Sequence, residues 1–242
     1  MAATIGLNSN LRWAEKGNNW ELSINGVPVP MDTVWEVRSP FGSVQNVIVQ
    51  DVHGEPVFAR PEYREAPHVN CVVWGREKDS TAKFAVLRQP RPHADDPEVR
   101  GNTHPPVVFG QVVMGFLDCI IGKDLAARYE SAERGAVREA QEESGVRVVL
   151  NIERPKYPWH NPNPTFVATW ADLVFVEIDL DSLREIAHDR SEPIFSAEYV
   201  TAKELFSRVA TGKDQEGAVY RGCTSLSVWM VFFATHPELL PG

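Results

Sequence analysis

Three glutamates, Glu139, Glu142 and Glu143, stand at i, i+3 and i+4 in a stretch rich in Ala, Glu and Arg and free of proline. Residues 124–145 predict a helix, on which the three side chains share one face. Ala136, Val137 and Ala140 supply a narrow apolar stripe on a neighbouring face, and Gly145 supplies a C-terminal cap. Like charges at that spacing repel by about 0.2–0.5 kcal/mol even on an exposed helix, and more strongly when shielded from water. A divalent cation removes the repulsion. Carboxylate oxygens are hard ligands that suit Mg²⁺ or Mn²⁺, and Mg²⁺ commonly joins one or two carboxylates to phosphate oxygens. The carboxylates alone also read as a solvated acidic face, since Glu-rich helix surfaces are common.

The wider spacing separates the two readings. Glu130, seven residues, Arg138-Glu139, Ala140, Gln141, Glu142-Glu143, Ser144, Gly145 and Val146 resemble the Nudix box. That pattern is Gly, five residues, Glu, seven residues, Arg-Glu, an aliphatic, any residue, Glu-Glu, any residue, Gly, an aliphatic. So many matches at fixed spacing are far more specific than a lone glycine motif. The first glycine of the box would fall at position 124, which is Asp124. Residues 113–118 resemble the glycine-containing start of the box loop, but their Gly115 lies further upstream. Residues 119–127 therefore read as an insertion in a surface loop.

The resemblance implies an α+β fold, an α/β/α sandwich with a mixed sheet flanked by helices. It implies Glu139, Glu142 and Glu143 as ligands of Mg²⁺ or Mn²⁺, with the ions holding a diphosphate and activating water. Arg138 would orient the glutamates through an ion pair, and Glu130 and Gly115 would support them. Residues 84–92, an apolar run closing in Arg88-Gln89-Pro90-Arg91-Pro92, resemble a strand of the ADP-ribose and nucleotide-sugar pyrophosphatases. The implied substrate is a nucleoside diphosphate linked to another group, ADP-ribose or a nucleotide sugar first, split to a nucleoside monophosphate and a sugar phosphate. The alternatives are another dinucleotide, a coenzyme A type compound, or a non-catalytic Nudix-like module that senses a nucleotide. Retention of all three glutamates favours catalysis.

Other residues are candidates around that centre. Arg88 and Arg91 could grip a phosphate bidentately or form surface ion pairs. Trp159, in the proline-rich 157–160 loop, could stack on a base or plug a packing gap. Trp170 falls on a predicted strand and reads as core. The turn-like residues 189–193 offer Glu192 as general base, with Glu198 second; the alternatives are a helix glutamate such as Glu139, or the metals alone. His93, His104 and His160 lack zinc-site spacing and read as loop residues, His160 being a weak ligand candidate.

The rest of the chain bounds the setting. Its 242 residues are 43% hydrophobic and 24% charged, with a net charge of -9 and no long Lys/Arg run. That balance disfavours a nucleic-acid surface. Cys71, Cys119 and Cys223 are isolated, which fits a reducing compartment better than a disulfide scaffold. Residues 1–20 hold no signal-peptide core. The longest apolar run, 228–234, is well short of the roughly 20 residues a bilayer requires. A cytoplasmic protein without a membrane partner is expected.

The elements that must position the glutamates follow from patterning. Residues 1–66 read as a small β-rich region, which the resemblance makes a candidate homodimerisation element, and 67–242 as the Nudix hydrolase domain. In the first region residues 20–24 alternate, Asn25-Gly26 is a hairpin signal, and Pro28 and Pro30 confine a following strand to an edge. Residues 33–37 and 47–49 are further strands and 61–67 a linker. In the second, 69–74, 84–87, 107–116 and 171–178 predict strands, and 90–106 and 155–164 loops. Residues 202–210 and 224–236 predict helices, the latter ending before Pro237.

Overall fold

The computed structural model describes residues 3–4, 11–16, 19–24, 27–28, 35–39, 42–50, 53, 56–91, 107–121, 127–161, 170–185, 194 and 196–241. The chain divides into two units, residues 1–66 with 163–169, and residues 67–162 with 170–242.

The first unit carries strands Ala3–Thr4 (β1), Leu11–Lys16 (β2), Asn19–Ile24 (β3), Val27–Pro28 (β4), Trp35–Ser39 (β5), Gly42–Gln50 (β6) and Pro56–Glu65 (β7). They form two sheets, β1-β5-β6-β7 and β2-β3-β4. The expected hairpin across Asn25-Gly26 appears as β3 paired with β4, Ile24 opposite Val27, while the two turn residues lie outside the described set. Pro28 sits on the edge strand, where its missing N–H is tolerated. Residues 61–65 are not a linker. They continue β7, an edge strand of its sheet, with Pro61 opposite Asn46.

The second unit carries His68–Arg76 (β8), Ala82–Arg91 (β9), Val107–Gln111 (β10), Val113–Phe116 (β11), Cys119–Ile121 (β12), Ala127–Tyr129 (β13), Ala132–Ser144 (α1), Val149–Glu153 (β14), Trp159–His160 (β15), Ala171–Ile178 (β16), Ser196–Thr201 (β17), Ala202–Thr211 (α2) and Cys223–Thr235 (α3). Eight strands form one sheet with β10-β9-β8-β16-β14 as its main path. β8 and β16 run parallel and the other neighbours antiparallel. The unit is α+β.

Alternation along the strands sends successive side chains to opposite faces. Val69, Cys71 and Val73 of β8 and Val174 and Val176 of β16 pack with Ala132, Ala136 and Ala140 of α1. Val72 and Trp74 of β8, Phe84 and Val86 of β9 and Phe175 of β16 pack with residues of α2 and α3. Helices therefore cover both faces. The ring of Phe232 in α3 is central on the second face, 5.0 Å from Phe175, 5.6 Å from Phe84 and 5.8 Å from Trp74 between centroids. Burying one such side chain stabilises by about 1.5–3 kcal/mol.

Several sequence expectations shift. The strand expected over 107–116 breaks at Val112 into β10, which pairs with β9, and β11, which pairs with β8. The expected helix over 124–145 begins only at Ala132. Ser131 takes the N-cap by accepting the Arg134 N–H, and residues 127–129 form β13 against β12. The expected insertion is thus based on a short hairpin. Gly145 ends α1 as expected, at φ 74°, the left-handed conformation that glycine adopts without strain. Trp170 is exposed rather than core, because it precedes β16 instead of lying within it. Residues 92–106, 162–164 and 189–193, with Glu192, lie outside the described set, as do His93 and His104. Among the described residues no helix is long and apolar enough to cross a membrane.

Candidate active site

α1 presses its small-residue face so closely to the sheet that its longer side chains meet β11. Ala136 and Ala140 are fully buried, and Val137 only partly. Glu139 and Glu143, one turn apart, flank that stripe and are themselves buried, at 5% and 4% exposure. A solvated acidic face would leave both in water. Glu142, the third member, lies on the solvent side.

Backbone geometry in β11 makes room for this burial. A Cβ at Gly115 would overlap the Glu139 carboxylate, so any side chain there displaces it. The neighbouring Met114 N–H donates to Glu143 Oε2 at 3.2 Å. Behind both carboxylates lies the buried Cys71. Its thiol is pushed well above its usual range by burial, and then by the charges of Glu139 and Glu143.

Arg138 organises the acidic groups. Its Nη1 donates to Glu139 Oε1 at 2.7 Å and to Glu142 Oε2 at 3.1 Å. Its Nη2 donates to Glu130 Oε1 at 2.7 Å and to the Phe116 carbonyl at 2.8 Å. Burial alone would favour a neutral guanidinium, but the hydrogen bonds and charges of Glu130 and Glu139 outweigh it and hold the group charged. Glu130 is the reciprocal case. Burial raises its pKa, yet Arg138 and the Asp118 N–H, which donates to Glu130 Oε1 at 2.9 Å, bring it below the ordinary carboxylate range. Asp118 itself lies 3.5 Å from Arg138 Nε. Among the described residues no three His, Cys, Asp or Glu side chains stand close enough together to hold a metal ion by themselves.

The strand register fixes where the other candidates fall. Gly115 is opposite Val69, Val69 opposite Asp172, and Asp172 opposite Trp159. This row crosses four strands on the α1 face, so Trp159 stands about 14 Å from Gly115, three interstrand spacings away. Trp159 is 59% exposed, which removes the packing-plug reading. Beside it Arg154 ties Asp172 of β16 to Glu133 of α1.

Arg88 is not brought to the glutamates. It continues the Phe84–Val86 alternation, on the sheet face opposite α1. There it pairs with Glu198, Asp214 and Glu216. Glu198 likewise alternates with Val200 on that far face, so it cannot act as base at α1. Arg91 ends β9 opposite Val107, and its side chain lies outside the described set. His160 sits in β15, near Ser227 of α3 at 3.4 Å. Burial, and then the neighbouring His68, hold its pKa below the usual value.

Sequence reasoning missed Asp118, the Met114 N–H, the Phe116 carbonyl and Tyr199. The Tyr199 hydroxyl donates to the Ser144 carbonyl at 3.0 Å and ties down the last turn of α1. Backbone donors and acceptors carry no residue signature. Asp118 alone, close behind Gly115, offered a signal.

No protein-family model matches the chain, and no curated protein matches it. One solved structure, described as the crystal structure of an ADP compounds hydrolase, aligns at 15% identity over 86% of this chain and 95% of its own, with a TM-score of 0.44.

Proposed function

We propose that the chain is a Nudix-type hydrolase that uses Mg²⁺ or Mn²⁺ to split the diphosphate of ADP-ribose or a nucleotide sugar into a nucleoside monophosphate and a sugar phosphate. The observation that carries the reading is that the box residues Glu139 and Glu143 are buried side by side, with Arg138 bridging Glu139, Glu142 and Glu130. Holding like-charged carboxylates this close together is costly unless cations share the site.

The donor set fits a hard divalent ion, being carboxylate oxygen throughout. Arg138 Nη1 already occupies the place of a cation between Glu139 Oε1 and Glu142 Oε2. Glu139, Glu142 and Glu143 would hold the ion. When bound, the ion supplies Lewis-acid polarisation of the diphosphate and activation of water.

The chain's own residues do the rest. Gly115 leaves the space that the Glu139 carboxylate fills. Met114 fixes Glu143 through its N–H. Glu130 keeps Arg138 charged and oriented, as outer partners of metal ligands do. Trp159 offers an exposed ring for a base, Arg91 a phosphate contact, and Glu192 a general base. Residues 1–66 are proposed as a homodimerisation element, which light scattering on the full chain would check.

The test is nucleoside monophosphate release from a panel of ADP-linked and other nucleoside diphosphate compounds with Mg²⁺ or Mn²⁺. Metal-dependent turnover of one class supports the proposal. Tight binding without turnover under any metal would instead support a nucleotide-binding module.

A further inference from the structure

α3 carries no charged residue in its thirteen positions. A helix that is apolar on every side calls for cover on every side. Val228 and Phe232 pack into the core over the sheet, but Met230, on another side, is 73% exposed. There α3 and α2 leave a cleft of about 520 Å³. Phe206 and Val209 of α2, Trp229, Met230 and Phe233 of α3, and Leu240 line it, and no charged side chain does. The rings of Phe206 and Phe233 meet within it, 5.0 Å apart between centroids and tilted by 54°.

One polar group interrupts this lining. Trp229 is only 4% exposed, and among the described residues its indole Nε1–H has no acceptor. A buried indole N–H ordinarily finds one, and leaving a buried donor unpaired is costly. Tyr220, whose ring stacks on Trp229 at 6.4 Å and 19°, has its hydroxyl engaged by Arg208.

The lining therefore specifies its occupant. Uncharged walls offer no complement to a phosphate, carboxylate or ammonium group, and burying such a charge there is prohibitive. The volume lies within the roughly 300–1,000 Å³ of small-molecule sites. A helix from a second copy of the chain would fill apolar space, but its carbonyls are already bonded within the helix and would leave the indole unpaired. We propose that the cleft between α2 and α3 binds a small uncharged molecule, largely apolar, that presents one hydrogen-bond acceptor to Trp229. The cleft lies across the sheet from the glutamate helix and needs no divalent ion, so the proposal stands or falls independently of the hydrolase reading.

The test is titration of the full chain, in EDTA, with three probes of one ring size: acetophenone, ethylbenzene and benzoate. The indole Nε1–H resonance of Trp229, assigned with Trp229→Phe, reports the place and the hydrogen bond. Acetophenone should shift that resonance saturably downfield. Ethylbenzene, which fills the same space without an acceptor, should bind about five- to tenfold more weakly, and benzoate should not bind. Met230→Glu, at an exposed position, sets a charge in the cleft and should abolish acetophenone binding. Trp229→Phe should remove the preference for acetophenone over ethylbenzene. A Trp229 resonance that acetophenone leaves unmoved, equal affinity for the ketone and the hydrocarbon in wild type, or binding that survives Met230→Glu overturns the proposal. So does self-association of the wild type that Met230→Glu abolishes, since a second copy would then cover the cleft.

Discussion

Arg138 reaches out of its helix to Glu130, two residues before the first helical residue, with Nη2 2.7 Å and Nε 3.2 Å from the same carboxylate oxygen. This contact fixes the start of α1 relative to its middle, and the same guanidinium extends to Glu139 and Glu142. Glu130→Gln keeps the size of the side chain but removes the charge from a buried, charge-assisted contact. It should cost about 1–3 kcal/mol of stability, measured by urea unfolding. Turnover should fall by more than the stability loss explains, because Arg138 is then set less firmly between Glu139 and Glu142. An unfolding midpoint and turnover both equal to wild type would show that the contact holds nothing.

Gly115→Ala tests the space beside Glu139. The added methyl would sit where the carboxylate now lies, so the Glu139 side chain must leave or the strand must shift. Overpacking of this kind costs about 1–3 kcal/mol, and turnover should fall by about 10²-fold, since ångström-scale misplacement costs that much. Wild-type turnover in a folded Gly115→Ala protein would mean that the position of Glu139 is immaterial.

Trp159→Ala tests the exposed ring on the α1 face. If the ring stacks on a base, KM should rise about tenfold with kcat little changed, in line with about 1–3 kcal/mol for base–aromatic stacking. An unchanged KM for every substrate that turns over would exclude Trp159 from recognition.

The capping box of α2 gives a pH prediction. Glu204 accepts from the Thr201 N–H and hydroxyl at 2.8 Å and 2.9 Å. The backbone hydrogen bond first, and then the hydroxyl, lower its pKa below the ordinary value. A depressed carboxylate stabilises the fold above its unfolded-state pKa and loses that contribution as pH falls through the folded-state value. The stability difference between wild type and Glu204→Gln should therefore be present at neutral pH and close in acid. A gap that stays constant down to pH 3 would show that the ionised carboxylate is not what matters.

What the sequence revealed and what it withheld divide along physical lines. The Gly145 cap and the edge position of Pro28 depend on local backbone rules, and they were legible. So were the strand cores 69–74 and 171–178, whose apolar runs have no competing reading. The break at Val112 was not, because β10 and β11 are separated by their partners, β9 and β8, rather than by a breaker residue. The start of α1 was missed because residues 124–131 favour helix locally, yet β12 captures residues 127–129. The spacing of Glu139, Glu142 and Glu143 showed that they share a helix face, but the burial of Glu139 and Glu143 depended on tertiary fit, with Gly115 leaving the space for Glu139. Arg88 looked like a companion to that site until strand register put it on the other face of the sheet. Such alternation flips with a one-residue shift, so no composition or motif could settle it.

The central claim is that the carboxylates of α1 gather a divalent ion for a diphosphate, and Mn²⁺ binding followed by electron paramagnetic resonance tests it most directly. Wild type, Glu139→Gln and Glu143→Gln would each be titrated with and without a non-hydrolysable ADP-linked analogue. The account predicts Mn²⁺ binding to wild type that tightens with the analogue and weakens by about tenfold or more in either variant. Equal Mn²⁺ affinity in all three proteins would contradict it.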